Sequence, residues 1–161
     1  MITQNRLKEM LSYSEDTGLF TWLVSRQGNV KAGDIAGSQN VDGSVSIGVD
    51  GHSYRAHRLV WLYKYGLWPL IELDHINRIP RDNRLLNLRE ATSAQNSMNT
   101  SVHRDNVTGF KGVTRNRDRF QARIMHNGKM LRLGTYDSAE EAYGVYLKKA
   151  TELFGDFACG G

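Results

Sequence analysis

The feature that most constrains this chain is an aspartate followed directly by a histidine, Asp74-His75, with Asn87 and Asn96 downstream. The pair lies in the run Leu73-Asp74-His75-Ile76-Asn77, and the segment closes at Ser93-Ala94-Gln95-Asn96. That spacing suits a strand, a loop and a helix that fold back on themselves. A helix from about Ser93 would project Asn96 toward the Asp74-His75 turn. A carboxylate beside an imidazole, with a carboxamide about twenty residues on, is the minimum kit for metal-assisted attack by water. Imidazole titrates near neutrality, so a histidine at position 75 can accept the water's proton at physiological pH. Asp74 offers a hard anionic oxygen and Asn96 a neutral amide oxygen, an incomplete oxygen cage that leaves positions for water and a substrate phosphate. Such a donor set suits Mg²⁺, with Mn²⁺ as the alternative, and not zinc. Taken singly these residues say little, because an Asp-His pair is commonly a hydrogen-bonded turn pair, and Asn83, Asn87 and Asn96 all suit turns and caps.

The rest of the chain sets limits on that chemistry. Its 161 residues hold one ordinary domain or two small ones. Cys159 is the single cysteine, which excludes an internal disulfide and a cysteine-based zinc site and reads as part of a loose end. A reducing, cytoplasmic setting is therefore expected (that of the host cell, if the gene is carried by a phage), with no membrane span and no secretory signal at Met1-Ile2-Thr3-Gln4-Asn5. The net charge is only +4, but it is unevenly spread. Between residues 104 and 132, eight basic side chains (Arg104, Lys111, Arg115, Arg117, Arg119, Arg123, Lys129, Arg132) stand against Asp105 and Asp118 alone. Such a concentration suits a phosphate-binding face, although a solvated basic surface has the same composition.

Periodicity divides the chain into two parts. Leu7, Met10 and Leu11 have helical spacing behind a Thr3 N-cap, Asp16-Thr17-Gly18 is a turn, and Leu19 to Val24 reads as a strand. Gly28 to Gly43 is polar and glycine-rich and reads mostly as loop. Ser44 to Val49 and His52 to Ala56 flank the hairpin signal Asp50-Gly51. A helix from His57 to Tyr65 follows, ended by Gly66. After a polar linker, Asn99 to Thr108, three short strands are predicted at Phe110–Thr114, Phe120–His126 and Met130–Tyr136, with turns at Asn116-Arg117-Asp118 and Asn127-Gly128. Asp137-Ser138 then caps a helix from Ala139 to about Phe154, with Ala142, Val145, Tyr146, Ala150 and Leu153 as its buried stripe.

The residues His57-Arg58-Leu59-Val60-Trp61, Asp74-His75-Ile76-Asn77, Asp82-Asn83-Arg84, Asn87-Leu88-Arg89, Ala91-Thr92 and Gln95-Asn96 resemble the H-N-H endonucleases, in the subgroup of phage and intron-associated homing enzymes. The resemblance covers roughly residues 5–100 and is strongest across 55–99. It implies an α+β fold with a ββα-metal nuclease core. By resemblance His75 is the general base, Asp74 and Asn96 bind the metal, and Asn87 braces the loop that orients His75. Where the family's last motif letter is often histidine, this chain has the variant Asn96. It also departs at Arg78-Ile79-Pro80-Arg81, where relatives carry a small Gly-Asp turn, so the shape of that loop is the open question. His57 matches a family position outside the catalytic set and reads as a structural or packing residue. His52, His103 and His126 have no partners at useful spacing.

Residues 109–157 resemble the DNA-binding domain of plant ethylene-response factors, through Gly109-Phe110-Lys111-Gly112-Val113, Phe120-Gln121-Ala122-Arg123-Ile124, Leu133-Gly134-Thr135-Tyr136-Asp137 and Ala139-Glu140-Glu141-Ala142-Tyr143. That module lays a three-stranded antiparallel sheet, packed on one helix, in the DNA major groove. The resemblance implies that Lys111, Thr114, Asn116, Phe120 and Arg123 face DNA. The plant domain has arginines at the positions of Thr114 and Asn116 and a tryptophan at Phe120, so its base preference does not transfer. Arg115, Arg117, Arg119, Lys129 and Arg132 are candidates for phosphate contacts, which set affinity and register. The expectation is a nuclease domain over 1–102 and a DNA-binding domain over 103–161, acting on double-stranded DNA as a monomer or weak homodimer. The rival reading is a catalytically silent DNA-binding regulator.

Overall fold

A computed structural model describes residues 1–100, 102 and 105–158; His103, Arg104 and Cys159, about which the sequence raised expectations, lie outside the described residues. The chain forms two compact units, Met1–Glu90 and Ala91–Gly161. The second begins upstream of the expected functional boundary at 102/103.

The first unit opens with helix α1 (Gln4–Met10), whose N-cap Thr3 accepts a hydrogen bond from the Arg6 amide. Strands β1 (Leu11–Tyr13) and β2 (Phe20–Trp22) form an antiparallel pair. β1 was not expected from the sequence, because the apolar periodicity of α1 runs into it without a break. The region expected to be loop contains a short strand, β3 (Ser38–Gln39), which pairs with β4 (Val45–Val49); β4 in turn pairs with β5 (His52–Arg55) across the Asp50-Gly51 turn. Helix α2 (Ala56–Tyr65) buries Ala56, Leu59, Val60 and Leu62 and ends at Gly66. These elements share one core that includes Leu7, Leu11, Phe20, Trp22, Ile47, Val49, Leu59, Val60 and Leu62. Each fully buried side chain of this kind contributes roughly 1.5–3 kcal/mol by removal from water. Strands β6 (Glu72–His75) and β7 (Leu88–Ala91) then pair as a two-stranded sheet.

The second unit contains helix α3 (Ser93–Met98), whose N-terminus is closed by a reciprocal capping box between Thr92 and Gln95. The order β6, β7, α3 is that of a ββα-metal nuclease core, within an α+β chain. Strands β8 (Val113–Asn116), β9 (Arg119–His126) and β10 (Lys129–Tyr136) form an antiparallel sheet in the order β10-β9-β8. Helix α4 (Ala139–Phe154), N-capped by Ser138, packs on it. β8 starts later than predicted. Asn106 donates to the Phe110 carbonyl, and the chain turns at Gly109 and Gly112, both at positive φ, before pairing begins. Gly112 has no alternative there, since a Cβ would stand 2.1 Å from the ring of Tyr146. On α4 the buried stripe is Ala139, Ala142, Tyr146 and Ala150, flanked by Tyr143, Leu147 and Leu153, whereas Val145 is only half-buried and stands outside that cluster. Among the described residues no helix is long and apolar enough to cross a membrane.

Candidate active site

The sheet β6–β7 places Asp74 and His75 at the end of a strand, and the following loop returns to Asn87. Ile76 donates its amide to the Asn87 carbonyl at 2.9 Å. The Asn87 side chain then fastens the loop from inside. Its Oδ1 accepts from the Asn77 amide at 2.9 Å, and its Nδ2 donates to Asn77 Oδ1 at 2.9 Å and to the Asp82 carbonyl at 2.8 Å. Asn87 is only 8% exposed, so these bonds stand in for water that cannot reach it. The departure at Arg78-Ile79-Pro80-Arg81 is accommodated by Arg78 itself, which takes a left-handed backbone (φ 61°) and donates its amide to the His75 carbonyl at 2.8 Å. Arg78 thus occupies a conformation that glycine takes more cheaply, at a cost of about 1–2 kcal/mol. Arg84 pairs with Asp82 through Nε at 2.8 Å and Nη2 at 2.6 Å, and holds that carboxyl down to about 2. Arg78 and Arg81 are exposed.

Asp74 is buried, 4% exposed, and Arg89 on β7 addresses its Oδ2 through both Nε and Nη2 at 2.9 Å. A charge so deeply placed requires a partner, and Arg89 supplies one across the two strands. The sequence reading quoted Arg89 only as part of the matching motif and assigned it no role. The signal available was its position on the strand neighbouring Asp74.

His75 is half-buried, and Asn83 and His57 are among its neighbours. Its Nε2 lies 3.1 Å from Asn83 Oδ1, and the ring of His57 packs against it edge-on, with centroids 5.2 Å apart at 86°. His57 is therefore a packing residue, as expected, but one that packs on the candidate base. Its Nδ1 is buried without a hydrogen-bond partner. Burial first, then the proximity of His75, Arg55 and Arg58, lowers its pKa to about 4, against a raising influence of Asp42. Between about pH 4 and 6.5 the unfolded chain binds a proton at His57 that the native chain does not, so stability rises with pH across this window and is lost on acidification. Allowing for the partial exposure of the ring, the effect is about 1–2 kcal/mol. The urea midpoint is expected to fall between pH 7 and pH 4.5 by more in the wild type than in His57→Gln; equal falls would refute the assignment.

Asn96 lies on α3, in the second unit, with its amide bonded to the Thr92 carbonyl at 2.9 Å. Among the described residues no three His, Cys, Asp or Glu side chains converge to hold a metal ion. Within the first unit the strand end offers hard oxygen donors, the Asp74 carboxylate and the amide oxygens of the loop asparagines. That donor set fits a hard, strongly hydrated ion. His52 is engaged locally, its Nδ1 lying 3.0 Å from the Asp50 carbonyl, and His126 packs on Phe154.

The strand register sorts the residues expected to face DNA. Thr114 pairs with Gln121, Asn116 with Arg119 and Arg123 with Arg132, all on the face of the sheet opposite the buried Val113, Ala122 and Ile124. Arg123, Arg132 and Lys129 are exposed. Arg119 is paired with Asp137 at 2.8 Å, and Arg115 donates to the Arg117 carbonyl at 3.1 Å in the β8–β9 turn. Two residues are placed differently from the expectation. Phe120 alternates with the outward positions and packs with the core of the second unit. The Lys111 ammonium donates to the Met98 carbonyl at 2.6 Å and to the Thr100 carbonyl at 2.7 Å, tying down the end of α3.

Comparison with known proteins decides the family. The HNH endonuclease family model matches residues 54–98, the span from β5 through α3. Protein 3.8 of Escherichia phage T7 is 31% identical over 107 residues, which cover 65% of this chain and 88% of that protein. The chain belongs to the HNH endonuclease family. An uncharacterized HNH endonuclease of Acanthamoeba polyphaga mimivirus is 35% identical over 88 residues, 55% of this chain and 46% of that protein, so the match spans about half the viral relative's length. The HNH segment contains Asp74, His75, Asn87 and Asn96, together with Asn83, Arg89 and His57.

Proposed function

We propose that this HNH chain is a metal-dependent DNA endonuclease of the homing type, with His75 as general base and a divalent cation on Asp74 and Asn96. The observation that carries the reading is the braced loop between β6 and β7. It holds the histidine and the buried carboxylate side by side at a strand end, within the HNH segment. His75 takes the proton of an attacking water, Asn87 keeps the loop closed, and Arg89 pairs with Asp74 from the neighbouring strand. When bound, Mg²⁺ or Mn²⁺ supplies relief of the negative charge that builds on the phosphate and the leaving 3′ oxygen. The family resemblance implies 5′-phosphate and 3′-hydroxyl ends, and one site per chain implies nicking by a monomer.

The second sheet supplies the DNA contact in this reading. Placing Arg123 directly opposite Arg132 costs stability in an isolated sheet, and an anionic partner offsets that cost. Arg115, Arg117 and Lys129 at the strand ends are suited to phosphate, and Thr114 and Asn116 to base edges.

The test is cleavage of DNA flanking the gene, at low ionic strength. Cleavage with Mg²⁺ or Mn²⁺ that stops on chelation and returns on adding back the ion is the expected result. Tight, salt-dependent binding without cleavage under either ion would favour the silent regulator, and no binding even at low salt would sink both readings.

A further inference from the structure

We propose that Asn83 is a positioning residue that fixes the tautomer of His75, protonated at Nε2, so that the lone pair that receives the water's proton is on Nδ1. The inference rests on the reading of His75 as the base. It follows from a chain of hydrogen bonds whose direction is set away from the histidine. Asn83 Nδ2 donates to the Arg81 carbonyl at 3.3 Å, which turns Oδ1 toward His75 Nε2 at 3.1 Å. An amide oxygen only accepts, so Nε2 has to donate. A neutral imidazole carries one N–H, and the remaining lone pair then belongs to Nδ1.

Asn83 is unusually well placed for this duty. It is 2% exposed, although it lies in a loop rich in charged residues. Its carbonyl accepts from the Tyr13 hydroxyl at 2.9 Å, and the same hydroxyl accepts from the Leu85 amide at 3.0 Å. Tyr13 stands in an aromatic group with Phe20 and Tyr63, centroids 5.1 and 5.9 Å away. The turn before β2 closes on the same point from another side. A Cβ on Gly18, itself at φ 72°, would come within 2.4 Å of the Arg84 nitrogen and 2.7 Å of the Asn83 carbonyl carbon. The amide that addresses His75 is thus anchored in the core of the first unit. Rotation of the imidazole by half a turn would put a ring carbon in place of Nε2 against Asn83 Oδ1, so this contact selects one orientation.

The experiment is a long-range ¹H–¹⁵N correlation spectrum of the full chain labelled at histidine, near pH 8, with the His75 signals assigned by their loss in His75→Ala. The expected wild-type pattern is the Nε2–H tautomer. In Asn83→Leu, similar in size but lacking the amide, His75 is expected to shift to a mixture of tautomers. The cleavage kcat should fall about tenfold with KM little changed, the rate equivalent of one lost hydrogen bond. Asn83→Asp keeps an acceptor oxygen and should keep the Nε2–H form. An Nδ1–H tautomer in the wild type, or an unchanged pattern in Asn83→Leu, would overturn the proposal. Because the wild-type spectrum needs no cleavage and does not depend on Asn83→Leu folding, its outcome is independent of whether His75→Ala loses activity.

Discussion

Replacing His75 with alanine is expected to lower the rate of DNA cleavage by a factor of about 10² to 10⁴, with DNA affinity unchanged. The size follows from what is removed. The substitution takes away the proposed proton acceptor and leaves the loop's main-chain bonds in place, including Arg78 to the His75 carbonyl and Ile76 to the Asn87 carbonyl. It also strips Asn83 Oδ1 of its partner, a buried loss of about 1–2 kcal/mol in stability. The comparison therefore belongs well below the thermal transition of the variant. Single-turnover cleavage of the native locus, followed beside filter binding of the same DNA, separates chemistry from affinity. If His75→Ala cut as fast as the wild type, the base would have to be sought elsewhere; if it lost binding and cleavage together, His75 would be a structural residue.

The second large effect is expected at Asn87. Asn87→Ala should destabilise the first unit by about 2–4 kcal/mol, because one buried side chain makes three hydrogen bonds, to an amide, a side-chain oxygen and a main-chain carbonyl of the loop. Cleavage should also fall well below the wild-type rate under conditions where the variant remains folded, since His75 and the start of the loop share this brace. Asn87→Asp is the sharper probe. It keeps an acceptor for the Asn77 amide but turns a carboxylate toward Asn77 Oδ1 and the Asp82 carbonyl, so its loss should be no smaller than that of alanine. Urea denaturation with cleavage assays decides the matter. A destabilisation under about 1 kcal/mol with full activity would remove Asn87 from the role of brace.

Both effects depend on how the loop is supported, and there the sequence and the structure part company. The motif residues were legible because their chemistry is local. An Asp-His pair at a strand end and an asparagine near the returning strand are close in sequence and hydrogen-bond within the loop they define. The Thr3 cap of α1, the Asp50-Gly51 hairpin and the Ser138 cap of α4 were similarly readable, each being specified by a few adjacent residues. β1 was not, since three residues carry too little periodicity and its partner, β2, is fixed only by pairing. Phe120 was placed on the wrong side of its strand by analogy with the plant domain. The register decides its side, because side chains alternate along a strand and Ala122 and Ile124 are buried.

By itself, then, the amino-acid sequence determined the family, the α+β class, the order of strands and helices around His75 and the concentration of basic residues after the motif. Each follows from short-range pattern and composition. Only the tertiary structure decided which residues surround the candidate base and its carboxylate. Arg89 reaches Asp74 from the neighbouring strand, His57 meets His75 from a helix, and Tyr13 holds Asn83 from 70 residues away. Those contacts join segments whose separation along the chain has no period. They arise because burying the apolar faces of the first unit brings polar groups together, and these must satisfy one another once water is excluded.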